Sequence, residues 1–284
     1  ARRADTLQCG RLPGVLDALA QDWRGPPRYQ VPGGGGDTVT QLASLFQSHK
    51  ALILFDTETS GLDFDKDQII ELAALRIEQT AAKGLRIAGQ MDQFIRLPEG
   101  QQLTEKIVEL TGITDRILEA EGVAPHKAAT AFAKLINAGD GPVLLVAHNA
   151  QFDLLFVRSL LKGVKLAPRL EFLDTLTVYK DRRPYPHKLA DAIIAYDLDG
   201  KVKNSHRAID DVTAMLEVLR AMGEERDDLA LYVNLFGYNA KYGVNGRRIS
   251  GIRYEAQEFH KILTRPEQTL PAKVGRSAGA SKGG

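Results

Sequence analysis

Cysteine is almost missing from this chain: among 284 residues there is one, Cys9. A single thiol excludes an internal disulfide and any multi-cysteine zinc site, and it fits a reducing compartment, the cytoplasm by default. Long apolar runs are missing too. No stretch approaches the ~20 apolar residues that a membrane-spanning helix needs, and residues 1–36 contain no signal-peptide core, so no membrane role is indicated. A strong charge of either sign is also absent. With a formal net charge of +1, attraction to a polyanion has to come from local clustering of Lys and Arg. Internal repeats are not seen either. What is left is an ordinary globular composition, long enough for one large domain or for one domain with extensions.

The chain has three textures. Residues 1–36 hold one short helical possibility, Val15 to Trp23, and then Pro26-Pro27, Pro32 and Gly33-Gly34-Gly35-Gly36, which read as an N-terminal extension ending in a flexible linker. From Thr38 to His49, Leu42, Leu45 and Phe46 stand at helical spacing, with Asp37 or Thr38 available as a cap. Ala51 to Phe55, Gln68 to Glu78 and Leu85 to Leu97 read as strands, the last two joined by the turn at 81–84, giving an antiparallel meander. Helical periodicity follows at Thr104 to Leu110, Ala124 to Ile136 and Gln151 to Leu161, with a short apolar strand, Val143 to Ala147, set among them. Glu171 to Leu173 reads as a fifth strand, followed by helices at Thr175 to Lys180, His187 to Tyr196 and Ala208 to Met222. This order of elements predicts an α/β domain over 37–222. Residues 223–263 read as a basic extension with a hairpin signal at Asn245-Gly246, and 264–284 as a disordered tail rich in Pro, Gly, Ser and Ala.

The candidate chemistry begins where the first strand ends. Asp56 and Glu58 are two residues apart, so on a strand they point the same way, and two ionised carboxylates side by side repel unless a cation lies between them. Asp153 sits in the opening turn of a helix after the strand Val143 to Ala147. The segment Ser205-His206-Arg207-Ala208-Ile209-Asp210-Asp211 opens the last long helix with one His and two adjacent Asp. His206 and Asp211 are five apart and would not share a face of a regular helix, so His206 belongs in the loop before it.

Asp-x-Glu at 56–58, Asn149-x-x-Phe152-Asp153, and His206-x-Ala208-x-x-Asp211 together resemble the three motifs of the DEDD exonucleases, in their DnaQ-like, His-containing subgroup. The resemblance spans roughly Ala51 to Leu219, with the motifs in order and each in its expected context. It implies a ribonuclease-H-like fold with a mixed five-stranded sheet flanked by helices. It also implies that Asp56, Glu58, Asp153 and Asp211 hold two divalent metals, Mg²⁺ or Mn²⁺, and that His206 is the general base. Oxygen ligands suit those ions, and two of them about 3.5–4 Å apart can activate a water and stabilise a leaving 3′ oxygen. A His with an unperturbed pKa of ~6.5 can take the proton near neutral pH. The implied reaction is stepwise hydrolysis of single-stranded nucleic acid from its 3′ end, releasing 5′ mononucleotides, with DNA favoured as in proofreading. Thr59, Gly61 and Leu62 are expected near the terminal nucleotide and Phe152 beside the strand, while Asn149 either caps the Asp153 helix or touches substrate.

Several residues carry competing readings. Asp210 adjoins Asp211, and the motif's spacing selects Asp211. His148 reads as structural and Asp174 as the cap of the helix starting at Thr175. Gln41 to Phe46 faintly resembles peptides that bind bacterial sliding clamps, but apolar residues at helical spacing read first as core. Residues 237–284 carry nine Lys and Arg against three Glu, interleaved with Tyr238, Tyr242 and Tyr254. That mixture suits either a single strand or cross-strand pairing in a hairpin. The alternatives to a DNA exonuclease are an exoribonuclease acting on RNA ends or short RNAs, and an exonuclease-fold adaptor for a DNA polymerase or clamp.

Overall fold

A computed structural model describes residues 41–166, 168–205, 207–237, 247–248 and 253–256. Its centre is a five-stranded sheet in the order β3-β2-β1-β4-β5. β1 (Ala51–Thr59), β2 (Ile69–Gln79) and β3 (Leu85–Phe94) form the antiparallel meander, and β1 pairs in parallel with β4 (Val143–Ala147), which pairs in parallel with β5 (Leu170–Asp174). The sheet is thus mixed, with helices on both faces. β1 is fully apolar from Ala51 to Phe55 because both of its faces are covered. Leu52 and Leu54 face one core and Ile53 and Phe55 the other.

The helices divide between those two cores. The Leu54 side is covered by α8 (Ala208–Glu225), whose Val212, Met215, Leu219 and Met222 are fully buried. The Phe55 side is covered by α4 (Pro125–Ile136) and α5 (Ala150–Leu160), through Phe132, Leu154, Phe156 and Val157. The Phe55 and Phe132 ring centroids are 5.5 Å apart. Two short helices lie beyond β3: α2 (Glu105–Thr111), capped by Thr104, and α3 (Asp115–Glu121), capped by Thr114. Each cap hydroxyl accepts a backbone N–H of the first turn. The second of these helices has no counterpart among the expected elements.

Strand β1 runs four residues beyond its expected end at Phe55, because β2 keeps pairing with it as far as Thr59. The short helix α1 (Ala43–Phe46) packs Leu42 and Leu45 into the core, with Phe46 partly buried against it. That segment is therefore committed to the domain interior, and the proposed caps Asp37 and Thr38 lie outside the described residues.

The folded core also continues past Met222. Arg182, at the end of α6 (Thr175–Arg182), donates to the Met222 and Arg226 carbonyls and pairs with Asp228, holding the end of α8. A 3₁₀ turn (Leu229–Tyr232) then buries Leu229 and Tyr232. Asn234 exchanges hydrogen bonds with the Phe172 backbone, which covers the outer edge of β5, and Phe236 stacks on Phe172 at 4.3 Å. β6 (Leu235–Gly237), β7 (Arg247–Arg248) and β8 (Arg253–Ala256) form a separate small sheet in the order β6-β8-β7. Within it β7 and β8 pair antiparallel, Arg248 with Arg253; Asn245 and Gly246, where the hairpin signal lay, and the tail from 257 on lie outside the described residues.

Candidate active site

The strand alternation that separates the two cores also places the acids. Asp56 and Glu58 continue the Leu52–Leu54 face of β1 and so point toward α8, which brings Asp211 in its first turn. Asp56, Glu58 and Asp211 each offer a carboxylate oxygen within 4.8 Å of the others. Asp211 accepts from Asn204 Nδ2 at 2.9 Å, whereas Asp210 turns to Lys203 at 2.8 Å and to the Ser205 hydroxyl. The structure therefore brings Asp211, not Asp210, into the cluster.

Asp153 reaches the site from the other face. Pairing between β1 and β4 ends at Leu54 and Val146, so β1 projects beyond its neighbour. The Asp153 carboxylate fills that gap, accepting from the Thr57 hydroxyl at 2.6 Å and the Thr57 amide at 3.2 Å. The start of α5 is fixed by a residue from another strand: Asp174 accepts the Asn149 and Ala150 N–H groups as well as that of Leu176 in its own helix. Asn149 has left-handed backbone (φ 70°), and its side chain does not cap the helix. Of the two roles expected for Asn149, the capping one is taken by Asp174.

The carboxyl groups raise one another's pKa values. Burial, then the carboxylates of Asp153, Asp211, Glu58 and Glu71, hold the Asp56 carboxyl well above the usual range. Burial and the same kind of repulsion push Glu58 up to about 8, against the pull of Arg207. Asp153 is pushed up to about 7 by burial, with the Thr57 hydrogen bonds opposing. Positive charge placed among acidic groups crowded this closely favours their ionised forms. An all-oxygen donor set of this kind fits hard divalent cations.

The loop after β1 is held by hydrogen bonds among its own residues. Thr59 donates to the Gly61 carbonyl at 2.6 Å, and Asp67 accepts the Asp63 amide at 2.8 Å. A Cβ on Gly61 would lie 2.2 Å from Asp67 Oδ2, so a side chain there would displace the Asp67 carboxylate from its bond to the Asp63 amide. Leu62, at the tip, is 70% exposed. Phe152 is partly buried, its ring 4.9 Å from Phe156. His148 Nε2 donates to the His187 carbonyl at 3.2 Å, and burial lowers its pKa, so it is held neutral inside the fold. His206, the expected base, lies outside the described residues.

A family model described as Exonuclease, RNase_T, matches residues 53–219, more than half of the chain. The chain belongs to this exonuclease family. Its members are DEDD-type nucleases that depend on divalent metals, and the acid cluster described above suits that dependence. Among curated relatives, the PolC-type DNA polymerase III of Caldanaerobacter subterraneus is 31% identical over 189 residues, 63% of this chain. That of Halalkalibacterium halodurans is 32% identical over 186 residues, 62% of the chain. In both cases the match spans only 12% of the relative. Among solved structures, an Exonuclease I superposes with a TM-score of 0.54 at 19% identity, over 65% of this chain and 43% of that one. The Exonuclease I of Methylocaldum szegediense gives 0.51 at 18%, over 63% and 42%. The exonuclease domain thus shares the ribonuclease-H-like fold of these enzymes.

Three residues of this end of the sheet were not singled out by the motifs. Thr57, inside the Asp-x-Glu motif, holds Asp153. Glu71 lies directly across from Glu58 on β2, and Arg207 forks onto Glu71. The available signal was Glu71 itself, a lone acid in the run Ile69-Ile70-Glu71-Leu72-Ala73-Ala74-Leu75, where a charge is buried only with a partner.

Proposed function

We propose that this chain is a 3′–5′ exonuclease that hydrolyses single-stranded nucleic acid from its 3′ end, DNA in preference to RNA, and releases 5′ mononucleotides. The observation that carries this reading is the convergence of Asp56, Glu58 and Asp211 within 4.8 Å, with Asp153 pinned at the adjoining gap in the sheet. These four carboxylates would hold two Mg²⁺ or Mn²⁺ ions. Such ions, when bound, supply the Lewis acidity that activates a water and offsets charge on the leaving 3′ oxygen. Asp211 and Asp56 share one face of the sheet end, while Thr57 keeps Asp153 oriented from the other. His206, one residue before Arg207, takes the proton of the attacking water. Leu62 and the Gly61 backbone, at the loop tip, meet the terminal nucleotide, with Thr59 holding that turn through its bond to the Gly61 carbonyl.

DNA is favoured because the similar PolC-type proteins are DNA polymerases and a neighbouring structure is E. coli Exonuclease I in complex with a dA16 oligonucleotide. A polymerase is accordingly the partner class we favour. A clamp peptide at Gln41 to Phe46 is disfavoured, since Leu42 and Leu45 are buried in the core. The test is a comparison of matched DNA and RNA oligonucleotides, labelled at either end, with Mg²⁺. Labelled mononucleotide should appear first from the 3′-labelled DNA. Release from the 5′ label first, or faster release from RNA, would contradict the reading.

A further inference from the structure

On the α8 face of the sheet, next to the metal-site acids, lies a second charged group built around Glu71. The Glu71 carboxylate is fully buried and stands directly opposite Glu58 in the β1–β2 register. Arg207 reaches it with two nitrogens, Nη2 at 2.8 Å and Nε at 3.0 Å from Oε1. The Ala208 amide donates to Oε2 at 3.2 Å. Glu71 therefore caps α8 from a different strand, satisfying an N–H that a helix start leaves without an intrahelical partner and placing negative charge at the positive end of the helix. The Arg207 carbonyl in turn accepts the Asp211 amide at 3.1 Å, closing the first turn. The guanidinium also lies 4.9 Å from the centre of the Phe94 ring, directly across from Glu71 on β3.

We infer that the Arg207–Glu71 pair is a positioning device for this active site, and the inference rests on the exonuclease reading above. It has two effects. The fork and the cap together fix where the first turn of α8 begins, and so where the Asp211 carboxylate stands relative to Asp56 and Glu58. The same fork occupies Glu71, keeping a fifth carboxylate, beside Glu58, from competing for the divalent ions. A lysine could supply the charge but not the bidentate geometry.

The experiment compares full-length wild type with Arg207→Gln, Arg207→Lys, Glu71→Gln and the double variant Glu71→Gln/Arg207→Gln. Folding is checked by melting, Mn²⁺ affinity is measured by direct titration, and kcat and KM are measured on single-stranded DNA. Residues that orient metal ligands from behind typically affect metal affinity or activity by 10–100-fold. Arg207→Gln should weaken Mn²⁺ binding and lower kcat by about that much with KM little changed, Arg207→Lys should lose less, and adding Glu71→Gln should recover about tenfold of the Arg207→Gln loss. The signature is recovery of Mn²⁺ affinity and kcat beyond any recovery of melting temperature, since a purely structural pair would restore stability and activity together once the stranded Glu71 charge is removed. Folded Arg207→Gln with unaltered Mn²⁺ affinity and kcat would overturn the inference, as would a double variant no better than Arg207→Gln. If Arg207→Gln does not fold, Arg207→Lys decides, and an unchanged Mn²⁺ affinity and kcat there would overturn it. A wild type that binds Mn²⁺ but releases no nucleotide would instead refute the exonuclease reading, leaving the Mn²⁺ affinities to decide the role of the pair.

Discussion

The Thr57 hydroxyl donates to the Asp153 carboxylate at 2.6 Å, joining the strand that carries two of the acids to the helix that carries a third. Thr57 points to the opposite face of the sheet from Asp56 and Glu58, so this bond ties an acid of the α5 layer to the strand that carries the two acids of the α8 side. Replacing Thr57 with the near-isosteric Val should leave the melting temperature within a few degrees and lower kcat on a single-stranded oligonucleotide by about tenfold, as other residues that orient metal ligands do. Undiminished kcat would show that Asp153 needs no such support.

The raised carboxyl pKa values give a pH dependence with a defined sign. Glu58 and Asp153 are pushed to about 8 and about 7, above the unfolded values near 4, so across that window the folded metal-free protein holds protons that the unfolded chain releases. Their contribution to stability is complete below the unfolded pKa and is lost as pH rises through the folded ones. Divalent ions favour the ionised carboxylates, so Mg²⁺ should raise the melting temperature more at pH 8 than at pH 6, and binding should release protons. Calorimetry in two buffers of different ionisation enthalpy measures that release. Equal stabilisation at both pH values would contradict the assignment of the cluster.

Leu62 tests the loop. At 70% exposed it contributes little to the core, so Leu62→Ala should leave stability unchanged. If its side chain is covered by the terminal nucleotide, the variant loses part of the roughly 1.5–3 kcal/mol that burying a leucine yields, a fall in kcat/KM of about tenfold. Steady-state kinetics on a short oligonucleotide read this directly, and an unchanged kcat/KM would remove Leu62 from the substrate site.

The segment after α8 is part of the folded unit. Phe236 is buried and stacked on Phe172, so Phe236→Ala should cost about 3–5 kcal/mol and lower the melting temperature by roughly 10 °C. A chain trimmed after Met222 should be destabilised further, since Leu229, Tyr232 and Leu235 go with it. Thermal melting of the two variants checks both statements, and a trimmed chain as stable as the full one would contradict them.

The sequence made the site acids legible because each sits where a strong local signal breaks: Asp56 interrupts the apolar run of β1, and Asp153 and Asp211 open amphipathic helices. The alternation of β1 carried more information than its two carboxylates, since it also sets Thr57 against Asp153, but that reading needs to know which helix covers which face. Glu71, Arg207 and Asp174 act across 136, 136 and 25 residues of chain respectively, and no local pattern encodes such partners. In sequence the C-terminal segment reads as an extension because its buried residues, Leu229, Tyr232, Leu235 and Phe236, follow neither a helical nor a strand period.

The central claim, that Asp56, Glu58 and Asp211 form a metal-dependent nuclease centre, is tested most directly by one substitution read two ways. Asp56→Asn replaces an ionisable carboxyl of a crowded acidic cluster with a neutral amide, so without metal the variant should be at least as heat-stable as wild type at pH 8. In the same buffer with Mg²⁺, wild type should shorten a single-stranded DNA from its 3′ end and the variant should release no nucleotide. A variant that keeps wild-type activity, or wild-type cleavage that persists undiminished in excess EDTA, would contradict the account.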